Sequence, residues 1–288
     1  MPAVVVAALL ILPEGLRAQS GHTCRPGPDT NESKLLVFYS GPIAFSPGTA
    51  PERLHAGAIR LSFEATYMPS PASSIRQPQA CYGLEKKENT DLSPVFPRPR
   101  LTIGLPAGFA IEASYLPPVT VADATPNLGS VALSRVTTLG VLGGGRLLDL
   151  TLRAHGTIGR VRGSITCPAA ALQQEAARFA CFGSTPSHDT FEPDMYGGDG
   201  VLGLGGGASP WSVYAGAGVL RLEPHFQVGF QQADGFFDDT RIVVRRTRAS
   251  LFTGASWNVL SRAALSMELF SLPGSVTTAR VGASYRLR

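Results

Sequence analysis

Hydrophobic and polar residues alternate with a period of two along much of the chain. In Ile59-Arg60-Leu61-Ser62-Phe63-Glu64-Ala65-Thr66-Tyr67 every odd position is apolar or aromatic and every even one is polar or charged. The alternation returns in Leu148-Asp149-Leu150-Thr151-Leu152-Arg153-Ala154-His155 and in Ala279-Arg280-Val281-Gly282-Ala283-Ser284-Tyr285-Arg286-Leu287. Residues two apart share one face of a strand, so each segment predicts a strand with unlike faces. A secreted, soluble β-sandwich and a membrane barrel both satisfy that pattern.

The connections separate the two. Strands are expected at about 56–67, 100–106, 108–117, 129–140, 146–162, 199–208, 211–231, 240–257, 262–271 and 276–287. With both ends of the wall in the periplasm, the turns on that side are Pro106-Ala107-Gly108, Val141–Gly145, Ser209-Pro210 and Asn258–Ser261. The opposite connections, 68–99, 118–128, 163–198 and 232–239, are far longer. Short turns inside and long loops outside suit an outer-membrane barrel, whereas a sandwich has no reason to sort its loops. The expected fold is an all-β, antiparallel up-and-down transmembrane β-barrel of ten strands, about eight or twelve being the neighbouring even counts.

Aromatics and arginines fit this layout. Trp211, Trp257 and Tyr285 fall at the periplasmic interface, and Tyr67 and Tyr115 at the outer one, as a girdle of amphipathic rings. The outward sets Trp211–Val219 and Leu148–Ile158 are apolar over nine and eleven residues, enough for a tilted strand to cross. Arg160, Arg162, Arg221, Arg245, Arg246 and Arg248 fall at outer strand ends. An outward arginine in the bilayer core costs roughly 2–4 kcal/mol. Beyond the apolar band these six can pair with lipid phosphates, the alternative being solvated strand ends. Arg135 shares parity with Val131 and Leu133 and is a misfit.

Composition agrees. Charged residues are 16% of the 288, against about 25% in soluble domains. Gly (32) and Pro (23) are abundant, while no apolar run approaches the roughly 18 residues of a membrane helix. The net charge of +4 is mild and the arginines are scattered, so no nucleic-acid partner is expected. The apolar stretch Pro2–Leu12, followed by Leu16-Arg17-Ala18-Gln19, reads as a signal peptide (residues 1–18). Residues 19–54 are then a lead-in or plug segment and 55–288 the barrel.

Export permits disulfides. Cys167 and Cys181 bracket an Ala-rich stretch with Pro168 in first position, which predicts a short helix pinned at both ends. A bond closing that loop contributes roughly 3 kcal/mol. The spacing fits no usual zinc pattern, so no metal is expected, nor any cofactor. Cys24 and Cys81 are the leftover pair, either bonded or two free thiols; Cys81 lies in the first outer loop, so a bond needs the N-terminal segment to reach the outer side through the lumen. Within that segment Lys34–Ser40 looks strand-like: an extra strand, a periplasmic lead-in, or a piece folded into the barrel.

The signal-like start, the loop asymmetry and the closing segment Ala279–Arg288 resemble the broad class of bacterial outer-membrane β-barrel proteins. The resemblance covers about 56–288 and implies localisation in the outer membrane of a Gram-negative-type bacterium, with its lipids as partners. Inward parity places Arg60, Glu64, Glu112, Asp149, Arg153, His155, Glu268, Arg280 and Arg286 in the lumen. They are either a self-paired polar core or the lining of a constricted, porin-like pathway that selects small polar solutes for transport. The functional expectation is therefore a small-solute channel or a structural surface barrel.

Some ten-stranded barrels of this class are proteases, which makes an omptin-like rim hydrolase the alternative. His188, Asp189, Asp194, Asp199, Asp234, Asp238 and Asp239 fall in outer loops, and His225 at a strand end, where a base and an activated water could be assembled. No Ser-His or Asp-His pattern stands at matching heights on neighbouring strands, so an enzyme is not expected. The runs Gly143–Gly145 and Gly205–Gly207 lead into no helix and read as turn and close-packing glycines.

Overall fold

Ten strands close into a wall in the computed structural model, which describes residues 22–77, 79–81, 94–120, 123–206 and 209–287. The signal-peptide stretch 1–18 lies outside the described residues. A short strand β1 (Thr23–Cys24) and a helix α1 (Asn31–Ile43) precede the wall. Five wall strands follow: β2 (Ile59–Tyr67), β3 (Val95–Gly104), β4 (Phe109–Leu116), β5 (Ala124–Leu142) and β6 (Arg146–Gly163). After β7 (Asp189–Glu192), β8 (Met195–Gly205) and β9 (Trp211–Leu222) rejoin the wall. The next connection holds β10 (His225–Gln227), β11 (Phe230–Gln231), β12 (Phe237–Asp238) and β13 (Arg241–Val243). The chain ends with β14 (Arg246–Asn258), β15 (Ala263–Leu272) and β16 (Val276–Arg286).

Wall neighbours are antiparallel, and the ring closes through β16 on β2 and β6 on β8. Above it, β7, β10, β13 and β1 form a small sheet continuing from β6 at the long-loop end. Outward residues are apolar yet open: Leu152 is 62% exposed, Val131 61%, Met267 63% and Val281 59%. A continuous belt of such residues exceeds the few hundred Å² of apolar patch that soluble proteins tolerate. In lipid the same belt is the matched face, and ring closure leaves no bare strand edge. Tyr67 and Tyr115 stand outward at the long-loop end. Trp211 and Trp257 stack at the short-turn end with centroids 5.2 Å apart, and Tyr285 lies near them on the same rim.

Several sequence expectations need correction. The segment containing Lys34–Ser40 is α1, because Thr30 caps it at Ser33 N and its apolar residues are buried on nearly every side. A helix buried all round loses the one-sided pattern by which helices are read. The Ala-rich stretch after Cys167 makes only a single 3-10 turn, Ala169–Ala171. There the Gln173 amide takes the place of helical bonds, donating to Ala176 O and Phe179 O and accepting from the Glu175 and Ala176 amides. The span 211–231 is broken after Leu222, and 240–257 divides into β13 and β14, where the chain leaves the wall for the upper sheet. β3 begins at Val95 rather than near 100, because its pairing with β2 runs to Tyr67↔Val95 despite Pro97 and Pro99.

Candidate functional site in the barrel lumen

The N-terminal segment runs through the barrel from its outer end to its periplasmic end. At the outer end the Cys24–Cys81 disulfide joins it to the first long loop. α1 then sits in the outer mouth, with Gly41 against Leu272 and Val276 beside the β15–β16 turn. Residues 44–54 continue inward without regular secondary structure, and Glu52 meets Arg60 at 3.3 Å, and Arg286, at the opposite end. Glycine makes room for the passage: a Cβ on Gly203 would lie 2.6 Å from Pro51.

Backbone outside helix and sheet satisfies few of its own polar groups, and leaving its carbonyls unpaired at membrane depth is costly. Arginines of the wall supply the donors. Arg98 donates to Ala44 O at 3.0 Å and also to Ile43 O. Arg100 donates to Ser46 O at 2.7 Å and Pro47 O at 3.2 Å, Arg153 to Phe45 O at 3.3 Å, and Arg280 to Gly41 O at 3.3 Å. The Phe45 ring, wholly buried, lies under the guanidinium groups of Arg98, Arg100 and Arg153 at 5.4, 4.4 and 5.8 Å.

Each of these arginines also meets a buried carboxylate. Glu64 lies 2.6 Å from Arg100 and 3.6 Å from Arg98. Glu112 bridges Arg100 and Arg153 at 3.5 and 3.7 Å, and Asp199 takes Arg153 at 2.9 Å and His155 at 3.1 Å. Glu268 stands 3.6 Å from Arg280 and accepts from Ser46 Oγ, Gly48 N and the Tyr214 hydroxyl. Asp149 accepts from Thr138 Oγ1 at 2.6 Å. Cavities of about 40 Å³ and about 10 Å³ remain beside the plug, room for isolated waters.

All nine residues assigned to the lumen by parity thus line it or its periplasmic mouth, where Arg60 and Arg286 meet Glu52. Arg98 was missed because it fell in the expected loop 68–99, and Arg100, at the first position of the expected strand 100–106, was assigned to no face. Their own alternation with Pro97, Pro99 and Leu101 was the available signal. Asp199, expected in an outer loop, is a buried lumen residue of β8.

The outer arginines divide. Arg160, Arg162 and Arg221 face outward; Arg221 also reaches Glu223 at 3.1 Å and Thr247 at 3.3 Å. Arg245 is exposed. Arg246 and Arg248 share the inward parity of Ser250 and Phe252, and Arg246 donates to Ser33 of α1 at 3.3 Å. Arg246 therefore turns to the plug, and Arg248 shares its inward face, as parity within β14 requires. Arg135 is exposed on the outer face with its guanidinium 5.3 Å from the Phe109 ring, at the periplasmic start of β4.

Outside the membrane, Asp189 is fully buried and accepts from Ile165 N, Thr166 N, Ser187 Oγ and Gly229 N, which draws two outer loops together. The Cys167–Cys181 disulfide closes one of them. Asp234 and Asp238 accept from nearby loop amides, Phe236 N and Thr240 N. His225 Nδ1 is 3.5 Å from Glu192 Oε2 in the upper sheet. Burial raises the nearby Asp194 carboxyl above its ordinary value, opposed by a hydrogen bond from Gly159 N.

A closed antiparallel wall, apolar outside and ion-paired inside, with short turns at one end and stapled loops at the other, is a bacterial outer-membrane β-barrel. No protein-family model matches the chain, and no curated protein does. Among solved structures it is similar to Ail of Yersinia pestis, solved with the heparin analogue sucrose octasulfate. That match has 11% identity and a TM-score of 0.27 over 81% of this chain and 99% of that one. It is also similar to the outer membrane protease OmpT of Escherichia coli, at 8% identity and TM-score 0.38 over 80% and 91%. The toluene transporter TodX of P. putida matches at 12% and 0.28 over 83% and 68%. Likeness at this level carries no residue correspondence, and the assignment rests on the chain's own wall.

Proposed function

We propose that this protein is a closed surface scaffold: a non-conducting barrel, plugged by its own N-terminal segment, that presents braced outer loops at the cell surface. The observation that carries the reading is the capture of plug carbonyls 41–47 by Arg98, Arg100, Arg153 and Arg280. Each of those arginines is also paired with a buried wall carboxylate, which holds its donors aimed at the plug, so extracting the plug breaks a set of charge-assisted hydrogen bonds at once. The two disulfides and the Asp189 hub hold the outer loops in one arrangement, which lowers the ordering cost of binding a partner. Refolded protein in planar bilayers is expected to be electrically silent; steady single-channel openings would restore the small-solute channel and sink this reading.

A rim hydrolase is the second reading, favoured by the His225–Glu192 pair and the raised Asp194 carboxyl close to it. It requires peptide- or ester-cleaving activity in the refolded barrel that His225→Gln abolishes without changing heat-modifiable migration. No cleavage of a broad peptide library by the unaltered protein rules it out.

A further inference from the structure

The ladder between β3 and β4 covers only its periplasmic part. β3 stays paired with β2 up to Tyr67↔Val95, but with β4 it pairs only from Gly104↔Ala110 to Leu101↔Ala113. Even-numbered residues of β3 turn their backbone groups to β2, as Gly104 N to Ala58 O and Met68 N to Pro94 O show. Odd-numbered residues turn to β4, as Leu105 N to Phe109 O shows. The next odd positions outward are Pro99 and Pro97, which have no N–H to donate. Continued register would set them opposite Tyr115 and Pro117, a third proline, so the seam stays unzipped at the level of the outer aromatic ring.

Behind the seam lies a cavity of about 100 Å³, walled by Tyr39 and Ile43 of α1 and by Phe96, Leu116 and Phe191. Its lining is almost wholly hydrocarbon and ring. Val95 and Pro97 also line it, and both are exposed on the outward face of β3, so it opens toward lipid. Apolar cavities of about 150 Å³ take up benzene, so this one has room for the end of a hydrocarbon chain. Pro126 of β5 forms its far edge and pairs with Val161. Flanking Val161 on β6, Arg160 and Arg162 project outward and are exposed. An apolar slot open to the bilayer, with two guanidinium groups beside it, matches a lipid that carries both a chain and a phosphate.

We propose that this seam and cavity bind one acyl chain of an anionic, phosphate-bearing lipid of the surrounding bilayer, with Arg160 and Arg162 holding its phosphate. The site is separate from the ion-paired lumen and stands whether or not the lumen conducts. It gives the barrel a fixed lipid at one place on its wall, where other outward strands meet the bilayer as a smooth apolar face.

Native mass spectrometry of the delipidated full chain, titrated with dipalmitoyl phosphatidylglycerol, tests this. One lipid is expected to remain bound per barrel. Ala124→Trp, which fills the cavity, is expected to weaken retention by about tenfold or more. If that variant does not show the heat-modifiable migration of a folded barrel, Leu116→Phe replaces it. Arg160→Gln with Arg162→Gln is expected to weaken phosphatidylglycerol by about tenfold while leaving hexadecane uptake unchanged. Retention unaltered by cavity filling overturns the proposal, because the lipid then sits elsewhere. Hexadecane binding as tightly as the lipid, with no effect of the arginine changes, also overturns it and assigns the cavity to apolar solutes.

Discussion

The two halves of the barrel interior are filled by one continuous segment but by opposite chemistry. In the outer half α1 packs Leu36, Val37 and Phe38 into a cluster with Leu220, Leu222, Phe270 and Leu272. In the inner half residues 44–50 lie among Arg98, Arg100, Arg153, Arg280 and their carboxylates. The difference follows from backbone conformation. A helix satisfies its own amides and carbonyls, so its surroundings can be apolar. Chain without regular structure cannot, so the wall beside it must bring donors, and those donors must bring counter-charges. Where the plug changes from helix to irregular chain, the lumen changes from hydrocarbon to ions.

The comparison breaks most sharply at Glu268. Glu268→Ala leaves Arg280 buried without its carboxylate and removes the acceptor of Ser46, Gly48 and Tyr214. A loss of about 3–5 kcal/mol is expected in urea unfolding of the reconstituted barrel. An unchanged midpoint would mean that the ion pairs do not hold the plug.

The outer half depends on a covalent tether as well as on packing. Replacing Cys24 and Cys81 together by Ser is expected to cost about 2–4 kcal/mol. The loss should appear first as proteolytic access to α1, with the wall still heat-modifiable. Simultaneous loss of wall and plug would show that the two halves unfold as one unit.

Acid gives a smaller and more local effect. Burial would raise the Glu32 carboxyl, but amide hydrogen bonds from Ala80, Cys81 and Gln79 outweigh it and hold the group below its ordinary value of 4.5. Because folding lowers this pKa, the stabilisation is complete above pH 4.5 and is lost as pH falls from there through the folded value. Hydrogen exchange at residues 79–81 is expected to speed up only in that acid range. Glu32→Gln should remove the pH dependence; its persistence would assign the effect to another group.

The smallest change concerns the start of α1. Thr30→Ala removes the cap on Ser33 N and is expected to cost about 1 kcal/mol, read as faster exchange in the first helical turn. No change in that turn would mean that packing alone sets where the helix begins.

Much of this molecule was legible in local pattern. The alternation of β2, β6 and β16, the lengths of the connections, the aromatic ring positions and the Cys167–Cys181 pair all depend on residues near one another in sequence. Parity assigns a side chain to a face wherever a strand continues, which is why Glu64, Arg153 and Arg280 were found in the lumen. What only the tertiary structure decided depended on distant neighbours. Residues 31–43 became a helix because the outer mouth buries them on every side, which erases the one-sided pattern that marks a helix in a sequence. Pro97 and Pro99 remained in a strand because their missing N–H groups point to β4, while β2 holds the other edge. Arg246 meets Ser33 because α1, distant in sequence, fills the outer mouth beside β14. Ring closure and the threading of the plug follow the same rule: periodicity says which way a side chain points, and only the closed wall says what it meets.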